Sequence, residues 1–206
     1  MHSAAVNFKN NIIFLTMKKT LIAIMAIIGL TMGASAQEAF QQHDKVINVG
    51  IGVASPWWSG SHYNNKIPPL SASFEYCIID HVFDDKSGIG VGGIFGFSGA
   101  NYEFDGSGSG LYGYTYRNFL LAGRGSFHYQ PLRGMDTYVG VVTGYNFLTV
   151  SRYGSWPEGN QVDAEEPHFV IGGVLGIRYY FTDNFAVMAE SSNEFCYLTL
   201  GVAFKF

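Results

Sequence analysis

The chain carries only two cysteines and six prolines in 206 residues, and only 14% of it is charged. Two cysteines exclude the disulfide framework that staples small secreted domains. Lysine and arginine number 12 against 16 acids, so a basic face is missing and no nucleic-acid partner is expected. Beyond residue 36 no apolar run approaches the ~20 residues that a membrane-spanning helix needs. What is plentiful is glycine, at 26, with 17 phenylalanines and 13 tyrosines.

The first 36 residues read as export information. Met17-Lys18-Lys19 is a basic lead, Leu21 to Leu30 an apolar stretch, and Ala34-Ser35-Ala36 a small-x-small cleavage site, which together make a secretory signal peptide over residues 17–36. Residues 1–16 have no such logic and read as an upstream extension. Position 37 is Gln rather than Cys, so no lipid anchor of the lipoprotein type is expected. The mature domain is then 37–206, with 206 minus 36, or 170, residues. Its charge is 9 bases minus 16 acids, or −7, since the leader holds Lys9, Lys18 and Lys19 and no acid.

Within that domain the apolar residues recur every second position, which is the period of a strand with two different faces. The last stretch is the clearest. Phe206, Phe204, Val202, Leu200, Leu198 and Cys196 share one face, while Lys205, Ala203, Gly201, Thr199 and Tyr197 share the other. Seven earlier stretches behave alike, at about 46–54, 69–79, 88–102, 112–129, 137–153, 168–181 and 185–191, with the eighth at 194–206. The connections after the first, third and fifth are long and rich in Trp, Tyr, Gly and acids. Those after the second, fourth and sixth are shorter. The fold class expected is all-β, an eight-stranded antiparallel transmembrane β-barrel, with an alternative in a secreted soluble β-sandwich.

The closing Gly201-Val202-Ala203-Phe204-Lys205-Phe206, the segment Arg124-Gly125-Ser126-Phe127-His128-Tyr129 and the hairpin Ile177 to Phe185 resemble the small eight-stranded outer-membrane β-barrel proteins common in Bacteroidetes, the OmpX/OmpA-barrel-like class. The likeness covers the whole mature chain. It implies a bacterial outer-membrane location with both termini periplasmic, contact with outer-membrane lipid and lipopolysaccharide, and recognition of Phe204 and Phe206 as an assembly signal by the barrel assembly machinery. Members of the class differ widely in function, so the resemblance specifies architecture more than activity.

Four charged residues, Glu75, Arg124, Arg178 and Glu190, fall on the inward face, each a few residues from a short turn. Two acids and two bases at one depth of a narrow barrel neutralise each other, and unpaired they would be very costly. The expected role is a structural plug in a filled lumen; a proton or ion path is the alternative. Trp57, Trp58, Tyr63, Tyr153 and Trp156 suit either an interfacial aromatic girdle or a stacking surface for a host or other surface ligand. Gly88-Ile89-Gly90-Val91-Gly92-Gly93 matches a dinucleotide fingerprint literally, yet more strand follows it where a helix is required; the glycines leave room inside the barrel. Asp163, Glu165, Glu166 and His168 read as a solvated acidic loop, with divalent-cation binding as the alternative.

No cofactor, metal or catalytic group is expected. Some eight-stranded barrels edit lipid A with Ser, His and an acid, and here only His62 and His168 lie toward the loop end; no compact arrangement of that kind is visible. The function expected is non-enzymatic, an envelope-structural or surface-interaction role through the loops, with a narrow channel or small-ligand transporter as runner-up. Cys77 is placed inward near the short turns and Cys196 outward near the far end, two free buried thiols that do not pair.

Overall fold

A computed structural model describes residues 39–54, 63–106, 110–154 and 167–206. They form β1 (Lys45–Ala54), β2 (Tyr63–Asp80), β3 (Ser87–Gly106), β4 (Gly110–Tyr129), β5 (Met135–Tyr153), β6 (His168–Tyr180), β7 (Phe185–Ser192) and β8 (Leu198–Lys205). Each strand pairs antiparallel with its neighbour in sequence and β8 closes onto β1. The fold is thus the eight-stranded antiparallel barrel that the alternation implies.

The alternation survives almost unbroken because the β3–β4 and β4–β5 ladders carry no bulge. Register slips occur in β2 around Ile67 and Leu70, where Pro68 and Pro69 cannot donate to a ladder. The short turns lie at the same end as Ala39 and Phe206; we call this the turn end and the opposite one the loop end. In the β4–β5 turn Gly134 has φ +71, and a Cβ there would lie 2.9 Å from the Tyr180 carbonyl oxygen. That turn therefore requires glycine.

Outward positions hold Ile, Val, Leu and Phe in open exposure. Leu121 is 61% exposed, Ile171 64% and Val53 59%, in a belt that runs round the barrel. Water would not tolerate so continuous an apolar surface, whereas hydrocarbon does. Inward positions hold glycines, polar groups and two buried apolar clusters, and the space over the glycines is occupied by neighbours. A Cβ on Gly96 would lie 2.5 Å from the Phe195 ring, and one on Gly90 would lie 3.0 Å from Glu75 Cγ and from His128 Nε2. Gly90 belongs to the fingerprint-like run, and its job is to clear space for side chains.

The strands are unequal. β3 and β4 have 20 residues each, β7 and β8 have 8 each. Since all start from the same turn end or finish there, the β2–β5 wall stands roughly 33–40 Å further along the strand direction at ~3.3 Å per residue.

Two expectations need correcting. The last strand begins at Leu198, and Asn193 to Tyr197 form the β7–β8 connection, longer than the Ser192-Asn193 turn expected. Cys196 belongs to that connection. It does not face outward: it is buried beside Phe195 in the lumen, because the connection folds inward and breaks the alternation there. A Cβ on Gly52 would lie 2.5 Å from its Sγ. Cys77 and Cys196 are both buried and neither is in a disulfide.

Candidate functional site: the lumen charge cluster

From the turn end the lumen begins with an apolar layer of Ala39, Phe40, Val46, Cys77, Tyr180, Ala186 and Ala203. Gln130 holds the incoming chain there. The Ala39 amide donates to Gln130 Oε1 at 2.7 Å and Gln130 Nε2 donates to the Phe40 carbonyl at 2.9 Å. Lys205 reaches into this level and pairs with Asp44 at 3.3 Å.

The four charges expected inside are brought together in the next layer. Arg124 Nη1 donates to Glu190 Oε2 at 3.0 Å and Arg124 Nε lies 3.6 Å from Glu75 Oε1. Arg178 Nη2 donates to Glu75 Oε2, joining the second base to the first acid. All four side chains are buried.

Two further ionisable groups complete the cluster and were not singled out from the sequence. Asp136, expected in the turn after β4, is the second residue of β5 and fully buried, accepting from Arg178 Nη1 at 2.9 Å. His128 sits between Asp136 Oδ1 at 2.9 Å and Glu75 Oε1 at 3.2 Å. Both ring nitrogens face carboxylate oxygens, and the imidazole donates at each when it is doubly protonated. Three acids and three cations then balance. The signal for Asp136 was its parity, since it shares an inward face with Tyr138 and Val142 on β5.

Neutral groups take up part of the remaining valences, while Arg124 Nη2 has no hydrogen-bond partner. Arg178 Nε donates to Asn48 Oδ1 at 3.0 Å, and Asn48 Nδ2 donates to Ser73 Oγ at 2.9 Å. The Tyr138 hydroxyl donates to Glu190 Oε2 at 2.7 Å, while its ring lies 4.5 Å from the Arg178 guanidinium carbon and 5.2 Å from that of Arg124, within cation–π reach of both. Phe40 stacks on the other side of the cluster, its ring 4.0 Å from that of His128. Every strand from β1 to β7 except β3 supplies a side chain, and β3 supplies the space through Gly90.

Above the cluster lies a second apolar layer of Ile94, Leu120, Ala122, Tyr138, Val142, Val170, Val174, Phe195 and Cys196. It caps the charges from the loop end. The arrangement is that of a packed interior that holds six ionisable groups between two apolar layers.

The other expected sites are scattered or lie outside the described residues. Trp57, Trp58, Trp156, His62, Asp163, Glu165 and Glu166 are outside them. Tyr63 opens β2 opposite Tyr102, and Tyr153 ends β5 opposite Gly113. His168 opens β6 and is exposed. Phe204 and Phe206 face outward at the seam, their rings 6.0 Å apart, and the Phe206 amide donates to the Lys45 carbonyl at 2.9 Å.

No family model matches the sequence, and no curated relative does. Among solved structures, the chain is similar to Ail, the attachment invasion locus protein of Yersinia pestis, in complex with the heparin analogue sucrose octasulfate. The likeness covers 81% of this chain and all of that one, at 13% identity and a TM-score of 0.50. The chain has the fold of the small eight-stranded outer-membrane barrels. OprG of Pseudomonas aeruginosa is also similar, over 82% of this chain and 98% of that one, at 14% identity and a TM-score of 0.46. At these identities the likeness concerns the fold alone.

Proposed function

We propose that this outer-membrane barrel is a non-enzymatic envelope protein with a closed lumen, its two termini in the periplasm and its loop end presented to the outside as an interaction surface. The observation that carries the reading is the filled interior. A neutralised cluster of six ionisable groups lies between two apolar layers, which supports a structural plug over a conducting path. An eight-stranded barrel is just wide enough to be filled this way.

The tall β2–β5 wall and the loops that join it give the outer end its contact area, while the apolar belt meets outer-membrane lipid and the lipopolysaccharide leaflet. Phe204 and Phe206 on the closing strand are the assembly signal read by the barrel assembly machinery; deleting Phe206 is expected to lower the yield of inserted protein.

Planar-bilayer recording with purified barrel tests the plug. Silence at the porin scale is expected, and discrete conductance steps would replace this reading with the channel. Labelling of a Ser151→Cys variant in intact cells by a membrane-impermeant maleimide tests the orientation, because Ser151 lies on β5 near the loop end. A cell that labels only after lysis would reverse the topology.

A further inference from the structure

Beyond Phe195 the inward face changes character. Ser98 on β3 stands opposite Asn118 on β4, and Asn146 on β5 stands opposite Leu120, one inward step below. All three are buried, Asn118 and Asn146 at 1% exposure. Yet Asn118 has no hydrogen-bond partner for either its amide oxygen or its amide nitrogen, and the Asn146 amide oxygen has none.

Such atoms are rare in native interiors, and each costs ~1–3 kcal/mol when left unmade. The barrel itself does not call for amides here. Inward neighbours on the same strands are Leu120, Ala122 and Val142, and leucine would fill comparable space. Donor and acceptor atoms held without partners point to a ligand that brings both.

Further out, the same inward parity carries Tyr102 on β3 and Tyr112, Tyr114 and Tyr116 on β4. Tyr102 is opposite Tyr114, and the Tyr114 and Tyr116 rings are 6.1 Å apart. The four are half-buried. An aromatic wall above an uncharged amide and hydroxyl floor suits a ligand with an apolar ring face and several hydroxyls. Ser98, Asn118 and Asn146 carry no formal charge, which favours an uncharged ligand at the floor, while Arg152 shares the inward parity further out, opposite Tyr114.

We infer that the outer lumen is a binding site for a neutral saccharide, whose hydroxyls meet the Asn118 and Asn146 amides while its ring lies against the Tyr114–Tyr116 wall. The amides are shielded in this conformation, so entry of the sugar displaces tyrosine side chains of the wall. The inference rests on the loop end facing outward, and it names the ligand class for that end.

The test uses the full mature barrel folded in detergent, with D-glucose, D-galactose, N-acetylglucosamine and maltotriose as probes, read by saturation-transfer difference NMR. Transfer to the ring protons of at least one probe is expected, and about tenfold weaker binding in Asn118→Leu, in line with losing two neutral hydrogen bonds. The same variant is expected to keep its heat-modifiable mobility and to unfold at an equal or higher urea concentration, since an unpartnered amide has been removed. Tyr114→Ala supplies a second reading at the wall and is expected to weaken transfer with the barrel intact.

Absence of transfer from every probe to the unaltered barrel overturns the inference, as does transfer that neither variant changes. A clear loss of stability in Asn118→Leu also overturns it, by showing the amides to be structural. Binding in detergent is independent of orientation in the cell. Sugar binding with no labelling of Ser151→Cys on intact cells would therefore sink the topology alone, and labelling without sugar binding would sink the site alone.

Discussion

The two halves of the lumen differ in how far their polar groups answer one another. On the turn side of Phe195, six ionisable side chains from five strands meet one another at hydrogen-bond or ion-pair distance, with Asn48, Ser73 and Tyr138 supporting them, although Arg124 Nη2, Ser126 Oγ and the Tyr180 hydroxyl have no hydrogen-bond partner there. On the loop side, two buried asparagines keep amide atoms without partners. A polar network that answers its own valences fixes the strands around it, whereas one left incomplete lowers stability and is open to something from outside. The paired charges of the first half suit the proposed plug, and the open amides of the second suit the proposed saccharide site.

The largest effect should follow from breaking the first half at its centre. Arg178, like His128, reaches both Glu75 and Asp136, and Arg178→Met would take the guanidinium away from both buried carboxylates. A loss of about 3–5 kcal/mol is expected in urea unfolding from lipid vesicles; a loss below ~1 kcal/mol would mean that the cluster does not hold the barrel together. Next is Phe195→Ala, at about 3 kcal/mol or somewhat more for a buried phenylalanine. Its effect should appear in the same assay with the charged layer still intact.

Smaller still should be the removal of a whole pair. Arg124→Met alone strands Glu190, but Arg124→Met with Glu190→Leu replaces two charges by apolar groups, which is often near neutral. The double variant is expected to lie closer to the unaltered protein than the single one, and a double variant worse than the single would contradict pairing as the reason for their burial. Smallest is Gly125→Ala on the lipid face. A Cβ there meets nothing within 4 Å, so the unfolding midpoint should move by no more than about 0.5 kcal/mol.

The inward charges were readable because parity in a barrel is a strict device: Glu75, Arg124, Arg178 and Glu190 all lie at even steps from inward glycines or serines. Asp136 escaped because it follows Gly134-Met135 and looks like the tail of a turn, and its strand starts two residues earlier than the apolar pattern suggests. His128 shared the inward face of Arg124 in the sequence, but only the structure brings Glu75 and Asp136 to its two nitrogens. Cys196 was misplaced for a different reason. Parity holds only while the chain stays in a ladder, and at Asn193 to Tyr197 the backbone leaves it so that adjacent Phe195 and Cys196 both turn inward. The unpartnered amides were equally out of reach, since an asparagine on an inward face says nothing about who answers it.

The unequal strand lengths have a consequence for how the barrel comes apart. The β3–β4 ladder runs unbroken from Ser87 opposite Tyr129 to Gly106 opposite Gly110, whereas β7–β8 spans only Phe185 opposite Phe204 to Glu190 opposite Thr199. Opening costs are graded round the circumference, so backbone amides of β7 and β8 should exchange with deuterium before those of β3 and β4. The wall β2–β5 acts as a spine and the β7–β8–β1 side as a latch, and a barrel built that way should open first along its short side.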